Sequence, residues 1–335
     1  MATAIATPNI AFVKYWGNRD EKLILPAGGS ISMTLDRQFT TTTTVYFPGS
    51  LGADEIKLNG KGVEAGEARR IVEHLDAMRK AAGSKLRARV ESVNSFPTSA
   101  GLASSASGFA ALTLACAKAL GLHRNMSELS ALARLGSGSA CRSLFGGFVE
   151  WEMGKRKDGE DSVARQIAPP SHWPELRDVV AIVSGEKKHI SSREAMRRTV
   201  ETSRLFKERM GTHGRRLDAV REALLEKDAG ALFEEIMTES GSMHAVMRDS
   251  RPPIIYMNEV SARIVDAVKE FNAAGEGRAR CGYTFDAGPN AHVITTQRYE
   301  NEVREMLLDV KGVKQVMVSG VGEGPEMSEE HLFKI

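Results

Sequence analysis

The stretch PTSAGLASSASG, Pro97 to Gly108, is the most informative part of this 335-residue chain. It follows an alternating run, LRARVESV at 86–93, and precedes an apolar run, FAALTLACAKAL at 109–120, so the pattern predicts a strand, a turn and a helix. Small residues let a backbone approach a ligand closely, and the first turn of a helix presents unpaired N–H groups that favour an anion. The stretch therefore predicts a phosphate-binding loop.

A small-residue helix start, selected for close packing, is the alternative interpretation of this stretch. Its residue order differs from two well-known phosphate loops, because it lacks the Gly-Lys-Thr/Ser ending of a Walker loop and the spacing of a dinucleotide-binding turn. Its serine and threonine hydroxyls can add hydrogen bonds to a phosphate or a contact to magnesium.

The composition is that of a globular protein, with 42% hydrophobic and 26% charged residues. Forty-five basic against 43 acidic residues give a net charge of +2, which predicts no nucleic acid or other polyanion as partner. Three widely separated cysteines (Cys116, Cys141, Cys281) predict reduced thiols and a cytoplasmic location. We expect no signal peptide and no membrane span, since the first residues lack a basic segment and no run approaches about 20 apolar residues.

Strands and helices alternate without a regular repeat, which predicts an α+β fold. We expect a boundary near Ser184, dividing residues 1–184, which carry the phosphate loop, from a helix-rich second half at 185–335. One strand is expected over 2–14, and strand, turn and strand over 280–296. Helical patterns cover 67–82, 103–120, 126–135, 192–225, 229–248, 260–273 and 300–309.

Two motifs place a cation beside small residues. Lys14-Tyr15-Trp16-Gly17 ends an apolar strand; a lysine there is usually a solvated strand end, but a Tyr-Trp pair before a glycine turn is uncommon. The segment GSGSACRSLFGG, Gly136 to Gly147, surrounds Arg142 with small residues. Because a guanidinium binds a carboxylate through two parallel hydrogen bonds, Arg142 is a candidate carboxylate ligand.

Two further motifs stand in the second half. In KKHISSR, Lys187 to Arg193, Ser192 is the expected helix cap, and a cation in the first helical turn is unfavourable unless an anion is present. In TFDAGPNA, Asp286 lies between a strand and a Gly-Pro turn, where aspartate is normally a turn former. None of the eight histidines has metal-ligand spacing.

The phosphate loop and these four motifs together resemble the mevalonate diphosphate decarboxylases, a family of the GHMP kinase superfamily, in which KYWG extends to KYWGK. The resemblance implies a two-lobed fold with the active site in the cleft between lobes, ATP and Mg²⁺ as cofactors, and a homodimer. It also implies an enzyme that phosphorylates the tertiary C3 hydroxyl of a phosphorylated mevalonate and then releases phosphate and carbon dioxide.

The resemblance assigns an expected role to each motif. Asp286 is expected as the catalytic base, or as the group orienting the C3 hydroxyl, with Lys14 beside it. Arg142 is expected to hold the substrate carboxylate, with Ser139 nearby. The other expected contacts are with phosphates or metal: Gly101, Leu102, Ala103, Ser104, Ser105, Ala106 and Ser107 for ATP, Ser107 also for magnesium, Tyr15, Asn18, Ser192 and Arg193 for the substrate, and Lys187 or Lys188 for the transferring phosphate.

The sequence departs from the family at Asn18, where a second lysine is usual. A neutral amide offers a phosphate less charge than a lysine, so we expect mevalonate 5-phosphate as substrate and isopentenyl phosphate as product. The alternative is mevalonate 5-diphosphate, with Arg19 or Lys22 supplying the charge. Two other hypotheses are a mevalonate 3-kinase, which forms ADP without carbon dioxide, and a catalytically silent metabolite sensor.

Overall fold

The computed structural model describes residues 1–96, 104–183, 189–275 and 277–334. Its strands are β1 (Ala2–Ala6), β2 (Asn9–Val13), β3 (Asn18–Asp20), β4 (Leu25–Pro26), β5 (Ser30–Thr34), β6 (Thr41–Tyr46), β7 (Glu55–Leu58), β8 (Lys61–Gly62), β9 (Arg89–Asn94), β10 (Phe148–Trp151), β11 (Ala164–Ala168), β12 (Leu176–Ile182), β13 (Cys281–Phe285), β14 (Ala291–Thr296), β15 (Gln315–Ser319) and β16 (Glu326–Ser328). Its α-helices are α1 (Ala65–Ala82), α2 (Ser104–Ala119), α3 (Met126–Gly136), α4 (Ser192–Thr202), α5 (Leu205–Leu225), α6 (Ala229–Asp249), α7 (Glu259–Ala273) and α8 (Glu300–Asp309). This mixture confirms the predicted α+β class.

The first sheet has the order β16-β1-β6-β9-β7-β8. Its central strand β6 is the threonine-rich segment TTTTVY, antiparallel to β1 on one side and to β9 on the other. Helix α2 packs on β1 and β6. Because α2 carries small and apolar residues around most of its circumference, it is buried in the core of the first half rather than lying on the surface.

The second sheet has the order β11-β10-β5-β2, and its strand β2 comes from the second part of the predicted N-terminal strand. The prediction of one strand over 2–14 is wrong, because Thr7 and Pro8 separate β1 from β2, which belong to different sheets. Proline has no N–H to donate to a strand ladder, so it ends a strand at such a position. Its carbonyl instead accepts a hydrogen bond from the Leu35 N–H at 2.9 Å.

The third sheet has the order β13-β14-β12-β15. Its strand β12 precedes residue 184, although the other three strands follow it. Conversely, β16 lies near the C-terminal end of the chain and pairs with β1 in the first sheet. We therefore propose that the lobes divide between β11 and β12 rather than near Ser184. A shared core joins them, since residues of β2 and β5 pack with residues of α5 and α6 in one hydrophobic cluster. The catalytic candidates lie at this junction.

The helical pattern over 192–225 is two helices, so the prediction of one continuous helix is wrong. Ser203 ends α4 in an extended conformation, and the Asp249 carboxylate accepts the Ser203 hydroxyl at 2.8 Å and the Leu205 N–H at 3.1 Å. A carboxylate at a helix N-terminus satisfies unpaired N–H groups, so Asp249 favours a new helix start at α5. Among the described helices, none is both long and apolar enough to cross a membrane.

Candidate active site

The structure brings Lys14 and Asp286 into direct contact. Lys14 follows β2, Asp286 follows β13, and Lys14 Nζ lies 2.6 Å from Asp286 Oδ1. The lysine side chain is 2% exposed, whereas the aspartate is 35% exposed, so the pair is open to solvent on the carboxylate side only. This contact joins two motifs that are 272 residues apart. A buried cation and a partly exposed acid are thereby held at one point of the cleft.

Arg142 lies in a 3₁₀ helix, Gly138–Leu144, and is 2% exposed. Its Nε donates to Asn9 Oδ1 at 3.2 Å and to Ser32 Oγ at 3.0 Å, and its Nη1 donates to Ser30 Oγ. Burial lowers the pKa of Arg142, while the charge of Asp286 is close enough to oppose that shift. Within the described parts of the chain, Nη2 has no acceptor, so one edge of the guanidinium remains for an anion.

Sequence reasoning missed the three residues that orient Arg142. Asn9 also donates to Ser139 O at 3.1 Å and to Ser143 Oγ at 2.8 Å, so it ties β2 to the 3₁₀ helix. Ser30 and Ser32 stand on β5 and are fully buried. Small polar residues inside strands resemble ordinary strand residues in a sequence; the usable signal was polarity at positions with apolar neighbours.

Tyr15 and Asn18 form a hydrogen bond with each other. Tyr15 Oη donates to Asn18 Oδ1 at 2.6 Å, and burial raises the pKa of Tyr15 above its usual range, which keeps the hydroxyl protonated. The tyrosine ring packs edge-on against Trp151 at 4.7 Å. A side chain at Gly138 would place its Cβ 2.6 Å from the Tyr15 ring, so glycine is required for this close approach. The Asn18 side-chain NH₂ is left as the donor of the pair.

The start of α2 supplies a series of hydroxyls. Ser104 and Ser105 are half-buried, and Ser105 Oγ lies 3.3 Å from Ser137 Oγ, which is 3.4 Å from Ser139 Oγ. Ser107 is fully buried and lies 2.6 Å from Thr41 Oγ1. Ala106 is buried beneath them. The predicted loop residues Gly101, Leu102 and Ala103, and the predicted phosphate ligands Lys187 and Lys188, lie outside the described residues.

The start of α4 differs from the prediction in one respect. Ser191, not Ser192, is the N-cap, because its side chain accepts the Glu194 N–H at 3.2 Å. Ser192 is the first helical residue and is half-buried, and Arg193 follows it, exposed. The Ser192 hydroxyl is therefore not used as the cap and stays at the protein surface beside Arg193.

A second arginine, which sequence reasoning missed, lies within electrostatic range of Arg193. Burial and the positive charge of Arg193 lower the pKa of Arg70, on α1. Arg70 donates to Gly136 O at 3.2 Å, at the entrance of the 3₁₀ helix that carries Arg142. The charge of Arg193 also acts on Tyr15. The guanidinium groups of Arg70 and Arg193 therefore form a positively charged region that favours the binding of an anion.

The arrangement combines three chemical capabilities. The Lys14–Asp286 pair can accept a proton from, and orient, a hydroxyl; Arg142 can hold a carboxylate; and the hydroxyl series with Arg70 and Arg193 can bind phosphates. In the described ranges, no group of three or more His, Cys, Asp or Glu side chains could hold a metal ion by itself.

Comparisons with known proteins agree with this geometry. A model of the diphosphomevalonate decarboxylase-like N-terminal domain matches residues 6–164, and one of the mevalonate 5-diphosphate decarboxylase C-terminal domain matches residues 178–312. The diphosphomevalonate decarboxylase of Candida albicans is 42% identical over 99% of this chain and 99% of its own.

Solved structures extend the match to three dimensions. Mevalonate diphosphate decarboxylase from Staphylococcus aureus has a TM-score of 0.92 and 36% identity, covering 98% of both chains. A complex of the enzyme designated MDDEF with MVAPP, AMPPCP and magnesium has a TM-score of 0.91 and 38% identity, covering 98% of this chain and 99% of that one. These matches confirm the predicted GHMP fold. Since both halves match in sequence and in structure, this chain belongs to the diphosphomevalonate decarboxylase family.

Proposed function

We propose that this protein catalyses the ATP-dependent decarboxylation of mevalonate 5-diphosphate, giving isopentenyl diphosphate, ADP, phosphate and carbon dioxide. The observation that carries the proposal is the 2.6 Å contact between Lys14 Nζ and Asp286 Oδ1, close to the buried guanidinium of Arg142. This set of groups matches a substrate that presents a tertiary hydroxyl and a carboxylate near each other. A sensor would need no such acid, and a kinase would need no separate carboxylate ligand.

The roles follow from the geometry of the side chains. Asp286 accepts the proton of the C3 hydroxyl as that oxygen takes the phosphoryl group, and Lys14 balances the charge on the carboxylate and the oxygen. The bond from C3 to oxygen then breaks and releases phosphate. Electrons of the C1–C2 bond form the C2=C3 double bond, and C1 leaves as carbon dioxide. Arg142 holds the carboxylate ionised and oriented until this step.

The residues present fit ATP and magnesium. When bound, ATP supplies the phosphoryl group and Mg²⁺ neutralises charge on its phosphates. Magnesium bound mainly through phosphates keeps few protein ligands, which agrees with the lack of a multi-carboxylate group among the described residues. Ser107 would have to give up its contact with Thr41 to reach a metal, so we assign the metal contact to the half-buried hydroxyls of Ser104 or Ser105.

The choice of diphosphate over monophosphate rests on the relatives and on charge. The relatives are diphosphomevalonate decarboxylases, which favours the alternative substrate over the monophosphate predicted from Asn18. Arg193 supplies a cation whose charge acts on Tyr15, the partner of Asn18, and Arg70 lies within electrostatic range of Arg193. Arg19 does not, because it is exposed and donates to the carbonyls of Met153 and Arg156. The monophosphate remains the second candidate, favoured by the neutral side chain of Asn18.

The first test measures ADP formation and trapped carbon dioxide with the two substrates side by side. We expect one carbon dioxide per ADP and a kcat/KM for the diphosphate that exceeds the monophosphate value by at least about tenfold, the effect of ~1.4 kcal/mol of added phosphate binding. Preference for the monophosphate would establish the second candidate. ADP without carbon dioxide would identify a 3-kinase, and no ADP with either substrate would identify a sensor. The expected homodimer and cytoplasmic location stay predictions.

The variant Asn18→Lys tests the charge argument. A charged donor strengthens a phosphate hydrogen bond by about 1 kcal/mol over a neutral amide, so preference for the diphosphate should rise about fivefold. Arg19→Gln is the matched control, since it removes an exposed charge one residue away that donates to the carbonyls of Met153 and Arg156. An unchanged ratio of kcat/KM values in Asn18→Lys would remove residue 18 from substrate selection.

A further inference from the structure

Two consecutive residues of α6 hold the backbone at both sides of the Lys14–Asp286 contact. Glu239 Oε1 accepts the N–H of Lys14 at 3.0 Å. Ser240 Oγ accepts the N–H of Phe285, the residue before Asp286, at 3.1 Å. Successive residues of an α-helix point about 100° apart, so one turn of α6 reaches β2 with one side chain and β13 with the next.

Glu239 is the centre of a buried charge cluster. Its side chain is 0% exposed and that of its partner Arg209 is 1% exposed. Glu239 Oε1 also accepts Arg209 Nη2, and Oε2 accepts Arg209 Nη1 at 3.0 Å and Arg216 Nη1 at 2.8 Å. Burial opposes ionisation of Glu239, but the charge and hydrogen bonds of Arg209, with further help from Arg216, hold its pKa below the usual range. The carboxylate is therefore ionised and all its acceptor positions are used.

The cluster fixes the peptide groups on both sides of the Lys14 Cα. Glu239 takes the Lys14 N–H, and Arg209 Nη2 donates to the Lys14 carbonyl at 3.4 Å. Compared with packed apolar residues, an intact buried ion pair contributes little to stability, although removing one of its partners is destabilising. The Lys14 side chain is 2% exposed, so the surrounding atoms restrict its rotamers and a displacement of its Cα is passed on to Nζ. These facts favour a role in placing Lys14 over a role in stability alone.

We propose that Glu239 and Ser240 are positioning residues, which set Lys14 and Asp286 at their catalytic distance by holding the backbone of each from one turn of α6. The proposal rests on the proposed function, because it assumes that the Lys14–Asp286 contact performs the chemistry. It assigns no substrate contact to either residue. Glu239 acts through Lys14, and Ser240 acts through the peptide that precedes Asp286.

The chain contains a matched control for Glu239. The Asp54 carboxylate is 3% exposed, accepts both terminal nitrogens of Arg79 at 2.9 and 3.0 Å, and accepts one backbone N–H, that of Ala88, at 2.8 Å. The chemistry is that of the Glu239 cluster, but the held amide is remote from the catalytic motifs. Asp54→Asn and Glu239→Gln therefore remove the same kind of charge, and only the second affects the backbone of Lys14.

Ser240 has a matched control as well. Ser130 is fully buried and its Oγ accepts the Ala164 N–H at 2.8 Å, as Ser240 does for Phe285. Ser240→Ala and Ser130→Ala each remove one hydroxyl. This pair keeps the proposal testable if Glu239→Gln fails to fold, since a single buried hydroxyl is a much smaller loss than a charge.

The experiment measures kcat and KM for ATP and mevalonate 5-diphosphate in all four variants, together with urea unfolding. In Glu239→Gln we expect kcat to fall about 10- to 100-fold with KM values within about threefold, because misplacing a catalytic group by ~1 Å costs about that much. Ser240→Ala should lose about three- to tenfold in kcat. Asp54→Asn and Ser130→Ala should lose stability and keep kcat. Equal kcat losses in a variant and its control, or unchanged kcat in both α6 variants, would overturn the proposal.

A crystal structure of each α6 variant separates this proposal from the proposed function. We expect the distance from Lys14 Nζ to Asp286 Oδ1 to lengthen from 2.6 Å beyond hydrogen-bonding range in Glu239→Gln and to stay unchanged in Asp54→Asn. An unchanged distance in Glu239→Gln would refute the positioning role even if the enzyme acts on another substrate. Conversely, a wild-type protein that forms no ADP would refute the proposed function and leave this measurement valid.

Discussion

The two buried cations of the site, Lys14 and Arg142, are held in opposite ways. Lys14 contacts a carboxylate from the other half of the chain, at 2.6 Å. Arg142 is held by an amide oxygen and two hydroxyls, which come from Asn9, Ser30 and Ser32 of its own half. The charge of Lys14 is therefore balanced within the protein, whereas the charge of Arg142 is solvated by neutral dipoles and remains available to a substrate anion.

The difference shows how one cleft separates two tasks. A cation beside an acid suits proton transfer, since it stabilises the negative charge that passes from the carboxylate to the substrate oxygen as the proton moves the other way. A cation held by neutral groups suits binding, because the incoming carboxylate becomes its first full counter-charge.

The largest expected effect is that of Asp286→Asn. The amide can neither accept the hydroxyl proton nor balance Lys14, so kcat should fall by at least about 10³-fold, the upper part of the range for acid–base catalysis. The measurement is ADP and carbon dioxide release at saturating substrates, with thermal unfolding to show that the variant is folded. A loss below about tenfold would mean that the acid only orients the hydroxyl.

The second prediction concerns Arg142→Lys, which keeps the charge but cannot reach three acceptors and still present a planar pair of N–H groups. We expect kcat/KM to fall about 10²- to 10³-fold. Arg134→Lys is the matched control: Arg134 is also buried and also held by neutral acceptors, the carbonyls of Leu23, Gly159 and Ser162. Stability should fall in both variants. Similar kcat/KM values for the two would show that Arg142 only supports the fold.

Most helices could be predicted from sequence, because apolar periodicity and flanking small or polar residues mark them locally. Helix α8 has the predicted bounds, 300–309, and α7 begins one residue earlier than predicted. The failures lie where a distant residue decides the outcome. Asp249 ends one helix and starts another near residue 203, and β16 joins β1 across the whole length of the chain. A local sequence pattern carries no information about a partner so distant along the chain.

The candidate site divides in the same way. Lys14, Arg142 and Asp286 stand in compact motifs, so sequence could single them out. The groups that hold them could not be found, because Asn9, Ser30 and Glu239 are common residue types whose importance comes only from what they contact in the fold. The sequence thus identifies the charged groups of the site more readily than the residues that hold them in place by hydrogen bonds.

The smallest expected effect is a change in how the free energy of unfolding depends on pH. It arises from His244, which is buried beside the Lys14–Asp286 pair. Burial, and then the charge of Lys14, lower the pKa of His244 from 6.5 to about 4, while Asp286 opposes the shift. The pKa of His244 is lower in the folded than in the unfolded state, so the unfolded state binds a proton first as pH falls. The contribution of the neutral ring to stability is complete above pH 6.5. It is lost as pH falls towards 4, by up to about 3 kcal/mol. The Lys14→Met variant removes the cation, raises the pKa of His244, and should reduce the loss of unfolding free energy over this interval by ~1 kcal/mol or less.

The measurement for His244 is urea unfolding at several pH values between 6.5 and 4.5 in the wild type and in Lys14→Met. His74 is the internal reference, since its pKa is also lowered to about 4 but by burial alone, and its buried ring packs edge-on against Phe109. His74→Phe should therefore flatten the pH dependence equally in the wild-type and Lys14→Met backgrounds, whereas His244→Phe should flatten it less when Lys14 is absent. The same flattening by His244→Phe in both backgrounds would mean that Asp286 fully cancels the Lys14 charge at His244, and would leave burial as the main cause of its lowered pKa.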